Sequence, residues 1–229
     1  MRKFIAIILL MFSLNAFSQE VKEKKWILKL NTTQLIDAFS FPTIQLSAEK
    51  KLNPYLGVNA EFGYQLYEFK FNPNLDTISL KPKGFKANLE LRFYFQKLNK
   101  SLNIANRSQL YIGAQIFYRQ NQKSSSVEYR RNENDSIYYD DNFGVKKSAK
   151  GINLTFGNQI SISENIIFEP YLVVGYMDRK IENFDLEYNK EKHVGDKNDG
   201  IPILIGYDID DKSKQNINFG FGLRVGYRF

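Results

Sequence analysis

The last fourteen residues, Asn216 to Phe229, read NINFGFGLRVGYRF and alternate without interruption. Ile217, Phe219, Phe221, Leu223, Val225, Tyr227 and Phe229 fall on one side, and Asn216, Asn218, Gly220, Gly222, Arg224, Gly226 and Arg228 on the other. A period of two places large apolar side chains on one face of a β-strand and polar ones on the opposite face. The polar face mixes glycine with arginine, so it is wetted or charge-paired. Any fold that accepts this strand must give it neighbours with the same two-sided character.

Such neighbours recur along the chain. Strands are expected at Trp26–Leu35, Thr43–Leu52, Tyr55 to about Phe69, Phe85–Gln96, around Leu110–Arg119, around Ile152–Ile162, around Phe168–Tyr176, and at the terminal segment. In the fourth, Phe85, Ala87, Leu89, Leu91, Phe93 and Phe95 alternate with Lys86, Asn88, Glu90, Arg92, Tyr94 and Gln96. Asn53-Pro54 and Ser163-Glu164-Asn165 supply tight turns. Pro170 sits awkwardly in its strand because it gives up a ladder donor. The stretches 120–150 and 185–214 are polar and read as long loops. Eight is even, which brings both chain ends to one side of a closed ring. The expected fold is all-β: an eight-stranded antiparallel up-and-down transmembrane β-barrel.

The opening residues, MRKFIAIILLMFSLNAFS, carry a basic start, an apolar run, and small residues at Ala16 and Ser18. That is the pattern of a cleaved signal peptide spanning 1–18, and its apolar run is too short to cross a bilayer. Residues 19–25 then form a short periplasmic segment and 26–229 the barrel, with extracellular loops near 120–150 and 185–214. The chain has no cysteine, which excludes a lipid-anchored cysteine, disulfides and thiol chemistry. Its net charge of +7 is spread over the whole chain with no basic block, so nucleic acid is not an expected partner. Aromatic residues make up 15% of the chain, as a barrel with two interfacial girdles demands.

A barrel in lipid turns its polar face inward. The charged residues on that face are Lys29, Glu49, Glu61, Glu90, Arg92, Arg119, Glu169 and Arg224. An interior of eight strands is just wide enough for side chains, so these charges are expected to cross-pair into a lumenal network that plugs the barrel.

The terminal strand, ending on Tyr227 and Phe229, resembles the last strand of bacterial outer-membrane barrels. That resemblance implies an assembly signal at Tyr227 and Phe229, read by the barrel-assembly machinery. The filled interior resembles that of small barrels of the OmpA/OmpX type. The segment ILKLNTTQLIDAFSFPTIQLSAEKKLNPYLGVNAEFGYQLY is similar to the first three strands of short outer-membrane barrels of the Bacteroidetes, with Lys29, Asn31, Glu49 and Lys50 at the matching places. The resemblance implies the outer membrane of a Gram-negative bacterium, reached by export, with outer-membrane lipid around the barrel.

No set of residues reads as catalytic, cofactor-binding or metal-ligating. The single histidine, His193, lies in YNKEKHVGDKND with no serine beside it, so a Ser-His-acid hydrolase lacks its nucleophile there. Asp196–Gly200 and Asp208–Asp211 offer carboxylates for Ca²⁺ but no distal bidentate Glu, and a solvated loop is the preferred reading. Between them Ile201, Ile203, Leu204, Ile205 and Tyr207 make an apolar segment, a candidate docking surface for another envelope protein. The expected function is a non-enzymatic integral barrel whose surface loops bind a partner or ligand. The alternatives are a narrow pore or transport accessory, and an envelope lipid hydrolase.

Overall fold

Alternating segments cannot bury one face alone, and here they do so by closing on one another. The computed structural model describes residues 25–37, 40–66, 83–95, 108–189, 191–195 and 213–229. Its strands are β1 (Trp26–Asn31), β2 (Ile44–Lys51), β3 (Leu56–Tyr64), β4 (Lys83–Tyr94), β5 (Ser108–Arg130), β6 (Tyr139–Ser161), β7 (Ile166–Phe184), the two-residue β8 (Val194–Gly195) and β9 (Ser213–Arg228). All pairings are antiparallel. β4 pairs with β5, and β1 with β9, so the eight long strands form a ring. β8 adds only a short rung beside Tyr129 and Arg130.

The registers fix the geometry of the ring. Stepping from Ile27 through successive partners Glu49, Asn59, Glu90, Gln115, Asn153, Gly175 and Asn218 leads back to the line of β1 at position 37, ten residues from the start. A shear of that size on eight strands corresponds to a tilt of roughly 35–45°.

Inside the ring the pattern is inverted relative to a soluble core. Phe62, Leu91, Ile152 and Phe221 point outward with 56%, 53%, 63% and 63% of their surface exposed. Lys29, Glu49, Glu61, Glu90, Arg92, Glu169 and Arg224 are buried in the interior. The outward apolar row on β9 runs from Ile217 to Tyr227. At this tilt those ten steps project to about 25 Å along the barrel axis.

Above this band β5, β6 and β7 project as a three-stranded blade, and their polarity reverses. On β5 the outward apolar row ends at Tyr118; beyond it come Gln120, Gln122, Ser124 and Ser126. The inward positions now become apolar: Val127, Phe143, Val145 and Ile181 form a small core, joined by Leu186 and Tyr188.

This blade takes the place of the long loop expected over 120–150. Residues 120–130 and 139–150 are strand, paired in unbroken register from Ser108↔Ile160 to Tyr129↔Tyr139. The flip in apolar phase above Tyr118 hides the strand from a search for continuous alternation. The first strand is also shorter than expected: it stops at Asn31, and Thr33–Ile36 form a 3-10 turn. Pro170 is accommodated by a gap. Its partnership with Leu223 on β9 is kept, while the β6–β7 register skips Asn158 and Gln159 opposite Pro170 and Glu169. The missing donor thus falls in a break of the ladder.

Candidate functional site

Glu169 on β7 is the centre of the interior. It accepts hydrogen bonds from Lys29, from Arg92 Nη1 at 3.1 Å, from Arg224 Nη1 at 2.8 Å, from Tyr111 at 2.9 Å and from Gln159 at 3.0 Å. Glu49 accepts from Lys29 at 2.5 Å, Arg92 at 2.7 Å, Gln159 at 2.7 Å and the Tyr94 hydroxyl. Arg92 reaches Glu90 with its second nitrogen at 2.7 Å. Arg224 continues the chain upward, donating to Glu61 at 2.9 Å, where Asn31 also donates at 2.9 Å. Every one of the eight long strands contributes at least one side chain to this cluster.

The geometry explains how charges can sit inside a narrow ring. Isolated burial of an ion costs several kcal/mol, and several hydrogen bonds to each ion are needed to offset that cost. Glu169 meets three cations and two neutral donors, so its charge is shared across the ring. Tyrosines complete the cluster from the sides: the Arg92 guanidinium lies 4.4 Å from the Tyr111 ring centroid and Arg224 lies 3.7 Å from that of Tyr171.

Glycines make room for these rings. Tyr111 is the registered partner of Gly157, and Tyr171 of Gly222. A Cβ built on either glycine would lie 2.4 Å from the facing tyrosine ring. Small residues opposite large ones let the taper of a small barrel fill without clash.

Seven of the eight expected interior charges meet in this network: Lys29, Glu49, Glu61, Glu90, Arg92, Glu169 and Arg224. Arg119 does not. It lies higher, beside Met177 Sδ at 3.0 Å and Asn218 Oδ1 at 3.4 Å. The cluster therefore contains four carboxylates against three cations. Lys51 stands nearby, 4.5 Å over the Tyr94 ring and bonded to Gln109 at 2.5 Å. The expected set also omitted Tyr94, Tyr111, Tyr171, Gln159 and Asn31. For Tyr111 and Tyr171 an aromatic on the polar face, opposite a glycine, was the available signal.

Above Arg224 the interior opens into a cavity of about 280 Å³. Its rim is the 3-10 turn between β1 and β2, tied down by Lys86. The Lys86 ammonium donates to Gln34 at 2.7 Å, Asp37 at 2.6 Å and the Phe41 carbonyl at 2.7 Å. One wall is an amide ladder: Asn218 donates to Asn153 at 2.9 Å, and Asn153 to Gln115 at 2.8 Å.

Tyr227 and Phe229 lie on the outer face at the lower rim. Asn165 donates to the Tyr227 hydroxyl at 3.0 Å, and the Phe229 N–H donates to the Trp26 carbonyl at 3.0 Å. His193 stacks on Tyr129, with 4.6 Å between ring centroids, near the tip of the blade. The candidate docking segment Ile201, Ile203, Leu204, Ile205 and Tyr207 lies outside the described residues, as do residues 1–24 and both acidic segments of the last loop. Among the described residues no group of three His, Cys, Asp or Glu side chains gathers for a metal.

A family model described as a protein of unknown function (DUF3575) matches residues 5–204. No curated protein matches the chain. Two crystal structures from Acinetobacter baumannii are similar to it. CarO2 has 13% identity over 90% of this chain and 97% of its own, and CarO 14% over 93% and 99%; both have a TM-score of 0.42.

Proposed function

We propose that this chain, which belongs to the DUF3575 family and inherits no assigned activity from it, is an integral outer-membrane barrel. It is non-enzymatic, its lumen is closed by the ionic cluster, and its blade and surface loops bind a partner or ligand outside the cell. The observation that carries the reading is the reversal of polarity along β5, β6 and β7. Below Tyr118 and Tyr176 the strands are apolar outside and charged inside; above them the arrangement is reversed. A strand in one solvent has no reason to exchange its faces midway. A strand leaving a slab of hydrocarbon for water does, and the projected band of about 25 Å matches the hydrocarbon thickness that outer-membrane barrels span.

Closure of the lumen is supported by the crossing of side chains from all eight strands in the cluster of Glu49, Glu61 and Glu169. A binding role is supported by the blade tip, where the exposed Tyr138 ring lies 5.5 Å from the Arg130 guanidinium and Arg131 lies 4.6 Å from the Tyr139 ring centroid. Rigid aromatic rings beside arginine are common at interface hot spots. Export through a signal peptide at 1–18, assembly through Tyr227 and Phe229, and docking of another envelope protein through the 185–214 loop belong to the same proposal.

Two measurements test it. Refolded into lipid bilayers, the protein is expected to migrate faster unheated than boiled on SDS gels, and to give no steady conductance in planar membranes. Steady ion-conducting steps would replace the closed barrel by a pore. Full solubility without detergent would remove the membrane reading altogether.

A further inference from the structure

The closed cluster leaves Arg119 out. We infer that the cavity above the cluster is a binding site for a small organic carboxylate, held by the Arg119 guanidinium. The inference rests on the barrel reading only in taking the upper rim as the open, outward side.

The charge balance of the cavity sets the sign of the ligand. Its walls include the cations Lys86, Arg119 and Arg224 and, among the described residues, one carboxylate, Asp37. Two of the cations are already engaged. Arg224 is paired with Glu61 and Glu169, and all three donors of Lys86 have acceptors. Arg119 instead donates to a thioether and makes a long amide contact, and the Asp37 carboxylate acts on it through space without a bond filling its fork. A thioether is a weak acceptor, and a guanidinium offers five donors in a planar fork. A carboxylate is the partner whose geometry fills that fork with two parallel bonds.

The strand registers strengthen the sign. Lys86, Arg119, Ala149, Arg179 and Lys214 are successive registered partners on β4, β5, β6, β7 and β9. Four of the five positions in this row are cationic. The one carboxylate that a described bond brings to the row is Asp37, through Lys86. Lys86 and Arg119 are the members of this row that line the cavity, and like charges side by side in a low-dielectric cleft focus a field that draws anions inward.

The remaining walls favour an organic anion over an inorganic one. Phe117 and Val173 are buried apolar residues of the lining, and the Arg119 guanidinium lies 5.4 Å from the Phe117 ring centroid. The amide ladder of Gln115, Asn153 and Asn218 continues beside them. An apolar body can rest on Phe117 and Val173 while its carboxylate reaches Arg119. The volume, about 280 Å³, lies at the small end for ligand pockets.

The test uses the full mature chain, labelled with ¹⁵N-arginine and folded in detergent micelles. Sodium propionate is titrated while the arginine Nε–H resonances are followed, and sodium chloride, sodium phosphate and propionamide are run at equal concentration. The expected result is a saturable shift of the Arg119 signal with propionate alone. Arg119→Gln is expected to weaken propionate binding by about tenfold or more, the scale of one charge-assisted pair. Arg119→Lys keeps the charge without the fork, and a several-fold loss is expected. It serves as the variant should Arg119→Gln not fold. No saturable shift, an equal response to propionamide or phosphate, or unchanged affinity in the variants would overturn the assignment. The unheated gel shift of the same sample separates the two readings. A folded barrel with a silent Arg119 defeats the site alone, and a sample that needs no detergent defeats the barrel.

Discussion

Glu169 and Arg224 face each other as registered partners on β7 and β9, joined by a 2.8 Å hydrogen bond in the barrel interior. Glu169 also meets Lys29 and Arg92, so it is the anion on which three cations converge. Removing it strips one carboxylate partner from each of these cations, which keep Glu49, Glu90 and Glu61, and leaves Tyr111 and Gln159 without their shared acceptor. Glu169→Ala is expected to cost about 3–5 kcal/mol, the range for breaking a buried ion pair. Glu169→Gln keeps the shape and loses the charge, and should fall between that variant and the parent. Urea unfolding in lipid vesicles, followed by tryptophan emission from Trp26, measures both. Parent-like stability in both variants would mean that the cluster does not hold the ring together.

Tyr111 and Gly157 form a size-matched pair across β5 and β6. Gly157→Ala pushes a methyl into the tyrosine ring and is expected to destabilise by about 1–3 kcal/mol, as overpacking does. In a Tyr111→Ala background the same change should be tolerated, giving a favourable coupling energy in a double-mutant cycle. Additive losses would show that the glycine serves the backbone and not the ring.

Leu91 is an outward residue of β4, well within the apolar band. If that band sits in hydrocarbon, Leu91→Arg should cost about 2–4 kcal/mol near the midplane. At a water-facing position the same substitution should stay within about 0.5 kcal/mol. Unfolding in vesicles distinguishes the two values.

Asp141 ties the segment after β7 to the blade by accepting hydrogen bonds from the N–H groups of Glu187 and Tyr188, at 2.7 and 2.8 Å. Asp141→Ala should raise amide exchange over residues 186–189 while leaving the barrel strands protected, because local openings can be independent of global unfolding. Loss of protection throughout β1–β4 would make the blade part of one cooperative unit with the ring.

The ring was legible in the sequence because each spanning strand keeps one phase: Ile217 to Phe229 and Phe85 to Phe95 need no more than a period of two. The blade was not, because the apolar phase shifts from Leu110, Ile112 and Ile116 to Val127 and Tyr129 on crossing Tyr118. That shift reads as the end of a strand, whereas physically it marks a change of solvent. The inward charges were legible as a set, but not their pairing. Arg119 shares a face with Arg92 and Glu90, yet its register places it with Lys86 and Ala149, away from the carboxylates. Tyr94 and Tyr111 fall on the inward face by alternation, but their place in the network depends on small neighbours that only the register reveals: Gly157 stands opposite Tyr111, and Gly57, the partner of Arg92, leaves room for the Tyr94 ring.

The central claim is that the outward face of the ring contacts lipid while the blade stands in water. The chain has no cysteine, so single cysteines can be introduced and spin-labelled without background. Labels at Phe62, Leu91, Ile152 and Phe221, and at Gln122 on the blade, would be compared in bilayers for collision with oxygen and with a water-soluble nickel chelate. The account predicts strong oxygen and weak nickel contact at the first four sites and the opposite at Gln122. Nickel contact at Phe62 and Phe221 equal to that at Gln122 would contradict it.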